Sequence, residues 1–141
     1  MPTVDPIAIY EQMMKEDHFS QWLGVKLIKI SAGYCQLQMT VRSDMLNGFG
    51  ILHGGVSFSF ADSAFAFASN SHGRLSVSQQ ASMTYAKPAK AGDVLIAEAT
   101  QLNLGNKTAT FDVKVYQKHT QETIAFFRGS VYRTSKEIGP Y

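Results

Sequence analysis

The residue types and spacings in this 141-residue chain that suit chemistry are Asn47, His53, Gly54, Gly55 and Asp62. All lie in one stretch from Asn47 to Asn70, NGFGILHGGVSFSFADSAFAFASN. Gly54 and Gly55 allow a sharp entry into a helix. The free N–H groups and positive dipole end of such a helix suit an oxygen that becomes negative during acyl transfer. Asp62 would act on the same centre as general base or nucleophile, because burial among apolar neighbours raises a carboxylate's pKa toward a useful range. The competing reading is a structural acid bonded to a nearby hydroxyl, with the glycine pair serving only close packing. His53 could donate a hydrogen bond to a substrate oxygen or to Asn47, or simply cap the turn. Asn47 could equally bond its own loop backbone.

Spacing constrains how these groups could work together. Asp62 follows Gly54 by eight residues, about 12 Å along an α-helix at roughly 1.5 Å per residue, too far for both to touch one carbonyl group. Two helices set antiparallel about a two-fold axis would bring the acid of one to the glycines of the other. The spacing therefore predicts a homodimer with two composite sites. A polar stripe of Ser59, Asp62, Ser63 and Ser69 is expected to form the face shown to the partner or to substrate.

The elements that must position this stretch follow from periodicity. Asp5 and Pro6 read as an N-cap and first-turn pair, and Pro6, Ile9, Tyr10, Met13 and Met14 share one helical face. Phe19, Trp22 and Leu23 give a shorter apolar turn that Gly24 can end, so residues 1–23 form an N-terminal helical segment. From Val25 the period changes to two. Val25 to Ile30 is one strand, and Cys35, Leu37, Met39 and Val41 alternate with Tyr34, Gln36, Gln38 and Thr40 in the next. The central helix spans 54–70, apolar on nearly every side. Strands are expected from Leu75 to Tyr85, Val94 to Leu102, Thr108 to Tyr116 and Thr123 to Arg133, with fraying from Thr134. Short links between the last strands argue for an antiparallel sheet, and a helix apolar almost all round requires that sheet to curl about it. The expectation is an α+β chain of one domain, residues 1–141, an antiparallel β-sheet wrapped around one long central α-helix.

Composition narrows the function classes. Thirteen basic and eleven acidic residues give a net charge of +2, with no block of like charge to suggest a nucleic-acid surface. Asp5, Glu11, Glu16 and Asp17 stand where a signal peptide would be basic and then apolar, and no run is long enough to span a membrane. The single cysteine, Cys35, leaves no internal disulfide and suits a reducing, cytoplasmic setting. No cysteine or histidine spacing matches a metal site, so neither metal nor cofactor is expected. His18, His72 and His119 lie in polar or loop-like segments and are expected at the surface.

Leu46-Asn47-Gly48, His53-Gly54-Gly55 and Ala61-Asp62 together resemble the PaaI thioesterases of phenylacetate degradation, within the hotdog-fold acyl-CoA thioesterases. The likeness extends to Ser69-Asn70-Ser71 with Gly73, the Lys87-Pro88 and Ala91-Gly92-Asp93 corner, and Phe127-Arg128-Gly129. It covers most of the chain after about residue 20. The resemblance implies the hotdog fold, paired subunits that often form dimers of dimers, and hydrolysis of an acyl-CoA thioester, here of the phenylacetyl type. It makes Asp62 the catalytic carboxylate and the Gly54 amide the group polarising the carbonyl, with Asn47 and His53 on the Gly54 side. It also places a serine on the strand after the helix, for which Ser78 is the best match, with Ser76 and Gln80 expected on the same face. Another hotdog branch carries a hydroxyl one turn after its acid, where this chain has Ala66. Lys87, Lys90, Lys107 and Arg128 are candidates for the CoA phosphates, although each also suits a solvated edge. Two rivals are a non-catalytic acyl-CoA-binding module and a hotdog hydratase or dehydratase; a sensor would need an output domain, for which no segment is visible.

Overall fold

A computed structural model describes residues 4–139. Helix α1 (Pro6–Glu16) begins where Asp5 Oδ1 accepts the Ile7 N–H at 3.0 Å, with Pro6 in the first turn as its fixed φ favours. Ile9 is its buried residue, and Tyr10 meets Phe67 edge-on at 4.8 Å. Helix α2 (His18–Leu23) is capped by Asp17 and stopped by Gly24, whose φ of +75° is left-handed. The strands are β1 (Lys26–Ser31), β2 (Tyr34–Thr40), β3 (Arg74–Tyr85), β4 (Val94–Leu104), β5 (Thr108–Gln117) and β6 (Thr123–Glu137). Between β2 and β3 lie a short 3₁₀ turn (Ser43–Met45) and the long helix α3 (Gly54–Asn70).

The strands form one antiparallel sheet in the order β1-β2-β4-β5-β6-β3. It curls round α3, which packs against β2, β3, β4, β5 and β6. Phe60, Phe65 and Phe67 of α3 are fully buried among Leu37, Leu95, Phe111 and Phe127 of the sheet. Each such side chain contributes roughly 1.5–3 kcal/mol of transfer free energy, so wrapping a helix that is apolar almost all round dominates the fold. The α+β arrangement expected from periodicity, an antiparallel sheet wrapped around one long helix, is the one observed, and it is the hotdog fold that the resemblance implied. Among the described residues no helix is long and apolar enough to cross a membrane.

Three local expectations need correction. The outward stripe of α3 is not Ser59, Asp62, Ser63 and Ser69: Ser63 and Ser69 are buried, and the accessible line is Gly55, Ser59, Asp62 and Ala66. The chain does not fray at Thr134. β6 runs to Glu137 because Thr134 Oγ1 donates to the Leu75 carbonyl at 2.7 Å and Arg74 Nε donates to the Thr134 carbonyl at 3.0 Å. His72, expected at the surface, is half-buried with Nε2 2.6 Å from Gln101 Oε1.

Candidate active site

The loop before α3 is tied down on both sides. Asn47 Oδ1 accepts the Phe49 N–H at 2.9 Å and the Ile51 N–H at 3.4 Å, so its carbonyl serves the loop, as a turn asparagine's does. Leu52 N–H donates to the Ala89 carbonyl at 2.8 Å and His53 N–H to the Met45 carbonyl at 2.9 Å. The loop tip carries Phe49, 91% exposed, and Gly50 at a φ of +76°.

His53 caps the helix. Its Nδ1 accepts the Gly55 N–H at 2.8 Å, so the neutral ring carries its proton on Nε2, which remains free to donate. The His53 carbonyl accepts the N–H groups of Val56 and Ser57 at 2.9 and 3.3 Å. Among the described residues, Gly54 N–H is then the first-turn amide of α3 without an acceptor. Gly54 lines a cavity of about 360 Å³ with Asn47, Ile51, Tyr85 and Lys87. A second cavity, about 400 Å³, shares Ile51, Lys87 and Ala89 and adds Lys90. An amide at the positive end of a helix, facing a cleft with apolar walls, can polarise a carbonyl oxygen.

Tyr85 was not singled out by sequence reasoning. Its hydroxyl donates to the Gly54 carbonyl at 3.0 Å, and its ring lies so close that a Cβ on Gly54 would meet two ring carbons at 3.2 Å. An aromatic residue at a strand end carries no signal that it reaches a helix start 31 positions earlier.

Asp62 stands half-buried on the outward line of α3, without a hydrogen-bond partner among the described residues. Burial pushes its pKa up, and the negative charge of Asp17 adds to the rise. Since α3 is continuous from Gly54 to Asn70, the two groups stay about 12 Å apart in one subunit.

Ser78 is exposed, and its pairing with the buried Val131 puts it on the sheet face that carries α3. A bulge between Ser78 and Gln80 resets the alternation, so Ser76 and Ser78 face inward with Ala81 and Met83, while Gln80 turns outward with Ser82. Gln80 is thus not on the face of Ser78. Seven residues separate Ser78 from Tyr85, roughly 23 Å of strand, so Ser78 lies away from Gly54.

The four candidate cations divide. Lys87 and Lys90 line the two cavities beside Gly54, and Lys87 is ion-paired with Glu122. Lys107 lies in the β4–β5 turn, beside a different cavity shared with Arg74 and Arg133. Arg128 is on the outer face of the sheet, forked onto Asp112 at 2.6 and 2.9 Å.

Comparison with known proteins gives the family of the chain. Residues 49–124 fit the family model described as the thioesterase superfamily. The acyl-coenzyme A thioesterase PaaI of Escherichia coli is 37% identical over 126 residues, covering 89% of each chain. The solved structure of E. coli PaaI, from the phenylacetic acid degradation operon, superimposes with a TM-score of 0.92, covering 95% of this chain and 96% of that one at 34% identity. A Streptococcus mutans protein bound to acetyl CoA aligns with a TM-score of 0.78 at 26% identity, covering 81% of this chain and 91% of that one. The chain belongs to the thioesterase superfamily and is a thioester hydrolase of the hotdog fold.

Proposed function

We propose that the protein hydrolyses an aromatic acyl-CoA thioester of the phenylacetyl type to the free acid and CoA, at composite sites in a homodimer. The observation that carries this reading is the unpartnered N–H of Gly54, a residue that lines the cavity, with the one carboxylate of α3, Asp62, half a helix away. In a two-fold pair with antiparallel α3 helices, Asp62 of one subunit faces the glycine end of the other, and the accessible line Gly55, Ser59, Asp62 and Ala66 is small enough for close approach. The identities to PaaI support the substrate class.

In this reading the thioester oxygen accepts a hydrogen bond from Gly54 N–H, with His53 Nε2–H and the Asn47 side-chain amide on the same rim. Gly55 allows the partner helix to approach and fixes His53 through its own N–H. Asp62 takes a proton from water as the water oxygen bonds to the carbonyl carbon; the C–S bond then breaks, and the proton passes to the departing thiolate. Ser78 of the subunit that supplies Asp62 would orient that water, and Lys87 and Lys90 of the subunit that supplies Gly54 would meet the CoA phosphates. The alternative, attack by Asp62 itself to give a mixed anhydride, is separated by single-turnover hydrolysis in labelled water: label in the Asp62 carboxylate marks the anhydride route. The whole described chain is proposed to act as one domain.

Thiol release over a panel of aromatic and aliphatic acyl-CoAs tests the activity. Aromatic esters are expected to have the highest kcat/KM, and an intact thioester carrying a new double bond would instead indicate a hydratase or dehydratase. Mixing Asp62→Asn with Gly54→Ala subunits tests the composite site. Hybrid dimers hold one intact site and recover activity, whereas no recovery after subunit exchange, or a fully active monomer, sinks the shared-site reading.

A further inference from the structure

Asp17 occupies the junction of α1 and α2 and serves both. Its backbone N–H donates to the Met14 carbonyl at 3.2 Å, closing α1. Its carboxylate caps α2, Oδ1 accepting the Ser20 N–H at 2.9 Å and Oδ2 the Ser20 hydroxyl at 2.7 Å. The single hydroxyl proton of Ser20 is thereby committed to Asp17. In the contact of 2.7 Å between Ser20 Oγ and Ser63 Oγ, the donor is therefore Ser63. The result is a directed chain, Ser63 to Ser20 to Asp17, ending on a carboxylate, in which each bond polarises the next. Ser20 is 1% exposed and Ser63 8%, so both hydroxyls are buried, while Asp17 at the end of the chain is half-buried. Among the described residues it is the side-chain hydrogen bond joining the N-terminal helices to α3, and Ser63 is the immediate neighbour of Asp62.

We infer that Asp17 is a positioning residue for the thioesterase reaction: through Ser20 and Ser63 it fixes α2 against α3 beside Asp62 and holds a second negative charge there, setting the pH window of turnover. The inference rests on Asp62 being the reaction's carboxylate, as proposed above. A like charge near a half-buried carboxylate opposes its ionisation, and Asp17 adds to the rise that burial imposes on Asp62. Other titratable groups at this end do not compete for that effect. Tyr10 on α1 and Cys35 on β2 are both raised by burial, Cys35 to about 12, and so stay protonated and uncharged through the working range. The wrapping strands turn Glu98, Asp112, Lys114 and Arg128 to the face opposite α3. His18 is exposed at the start of α2, next to Asp17 in the chain, so it needs its own control.

The test uses the full chain. Asn caps a helix as well as Asp, so Asp17→Asn keeps the turn while removing the charge. The pH dependence of kcat/KM for thiol release from phenylacetyl-CoA is compared for wild type, Asp17→Asn, Ser63→Ala and His18→Gln at constant ionic strength. The acid limb of Asp17→Asn is expected to move to lower pH by about half a unit or more. His18→Gln should leave the limb unmoved. Ser63→Ala keeps the charge but cuts the chain, and should lower kcat several-fold with KM little changed. Carbon NMR titration of the Asp62 carboxyl in wild type and Asp17→Asn gives the same comparison without turnover, and its midpoint should fall in the variant. Superimposable profiles and titrations for wild type and Asp17→Asn overturn the inference, as does a limb that moves equally in His18→Gln. Near-normal turnover in Asp62→Asn overturns the underlying reading instead, whatever Asp17→Asn does. Should Asp17→Asn fail to fold, a Ser63→Ala enzyme with unchanged kcat rejects the positioning role by itself.

Discussion

Replacing Gly54 by alanine separates the chemical demand on this position from the structural one. The added Cβ would stand 3.2 Å from two ring carbons of Tyr85 and 3.3 Å from its hydroxyl oxygen. Tyr85 is 54% exposed, so the ring can swing aside rather than force α3 out of place. Swinging breaks the 3.0 Å bond from the Tyr85 hydroxyl to the Gly54 carbonyl, a net loss of roughly 0.5–1.5 kcal/mol. Alanine in place of glycine within a helix returns about 0.5–1 kcal/mol. The two terms nearly cancel, and thermal unfolding of Gly54→Ala is expected to stay within about 1 kcal/mol of wild type. Activity has no such compensation. The methyl group and displaced ring both enter the cavity of about 360 Å³ beside the free amide. Loss of one donor to a developing oxyanion costs roughly 10²–10³ in rate. The assay is kcat/KM for thiol release, run beside thermal unfolding and beside Gly54→Ala/Tyr85→Ala. If the displaced ring causes the loss, the double variant recovers most of it; if the methyl group blocks the carbonyl, it recovers little. Gly54→Ala with near-normal kcat/KM would refute the amide's role, and a stability loss of several kcal/mol would refute the account of Tyr85.

Asp62→Asn should lower kcat by at least about 100-fold, read by thiol release, because the isosteric amide can neither take a proton nor attack. The same variant should melt no lower at pH 7 than wild type. A carboxylate whose pKa is raised by folding contributes stability at low pH that is lost as pH rises through its folded value, and asparagine removes that penalty. Turnover by wild type should correspondingly fall on acidification at a pH above that of an ordinary carboxylate, as measured by the kcat profile. Gly129→Ala should cost about 1–3 kcal/mol in denaturant unfolding, since its Cβ would meet the buried rings of Phe65 at 2.8 Å and Phe127 at 3.0 Å. Cys35, fully buried with its thiol pushed up to about 12, should resist an aromatic disulfide reagent in the native enzyme and react promptly once unfolded.

What the sequence made legible and what it hid divide along a physical line. The Asn47-to-Asn70 stretch could be read because its information is local: a glycine pair, a helical run of apolar residues and an acid at a fixed rise along the axis. The strands were legible where inward and outward residues alternate without interruption, as in β2, where Cys35, Leu37 and Met39 are all buried. In β3 the alternation breaks at the bulge between Ser78 and Gln80, which is a property of pairing with β6 and leaves no local mark. The sequence therefore assigned Gln80 to the wrong face, and it ended β6 early because the Arg74–Thr134 contacts extending that strand join residues 60 positions apart.

The same division separates the groups proposed to do chemistry from the groups that hold them. Asn47, His53, Gly54 and Asp62 announce themselves within 16 positions, whereas Tyr85 reaches Gly54 from 31 positions away and Ser20 reaches Ser63 from 43. A buried serine in a six-residue helix reads as nothing in a sequence, and a capping aspartate reads as no more than a cap. Only when α2 is laid on α3 does the hydroxyl proton count show that Ser63 must donate toward Asp17. The long-range contacts thus bear on reactivity as well as on shape. A helix whose carboxylate is proposed to serve a second subunit's site is held, on its own side, by the N-terminal segment that carries Asp17.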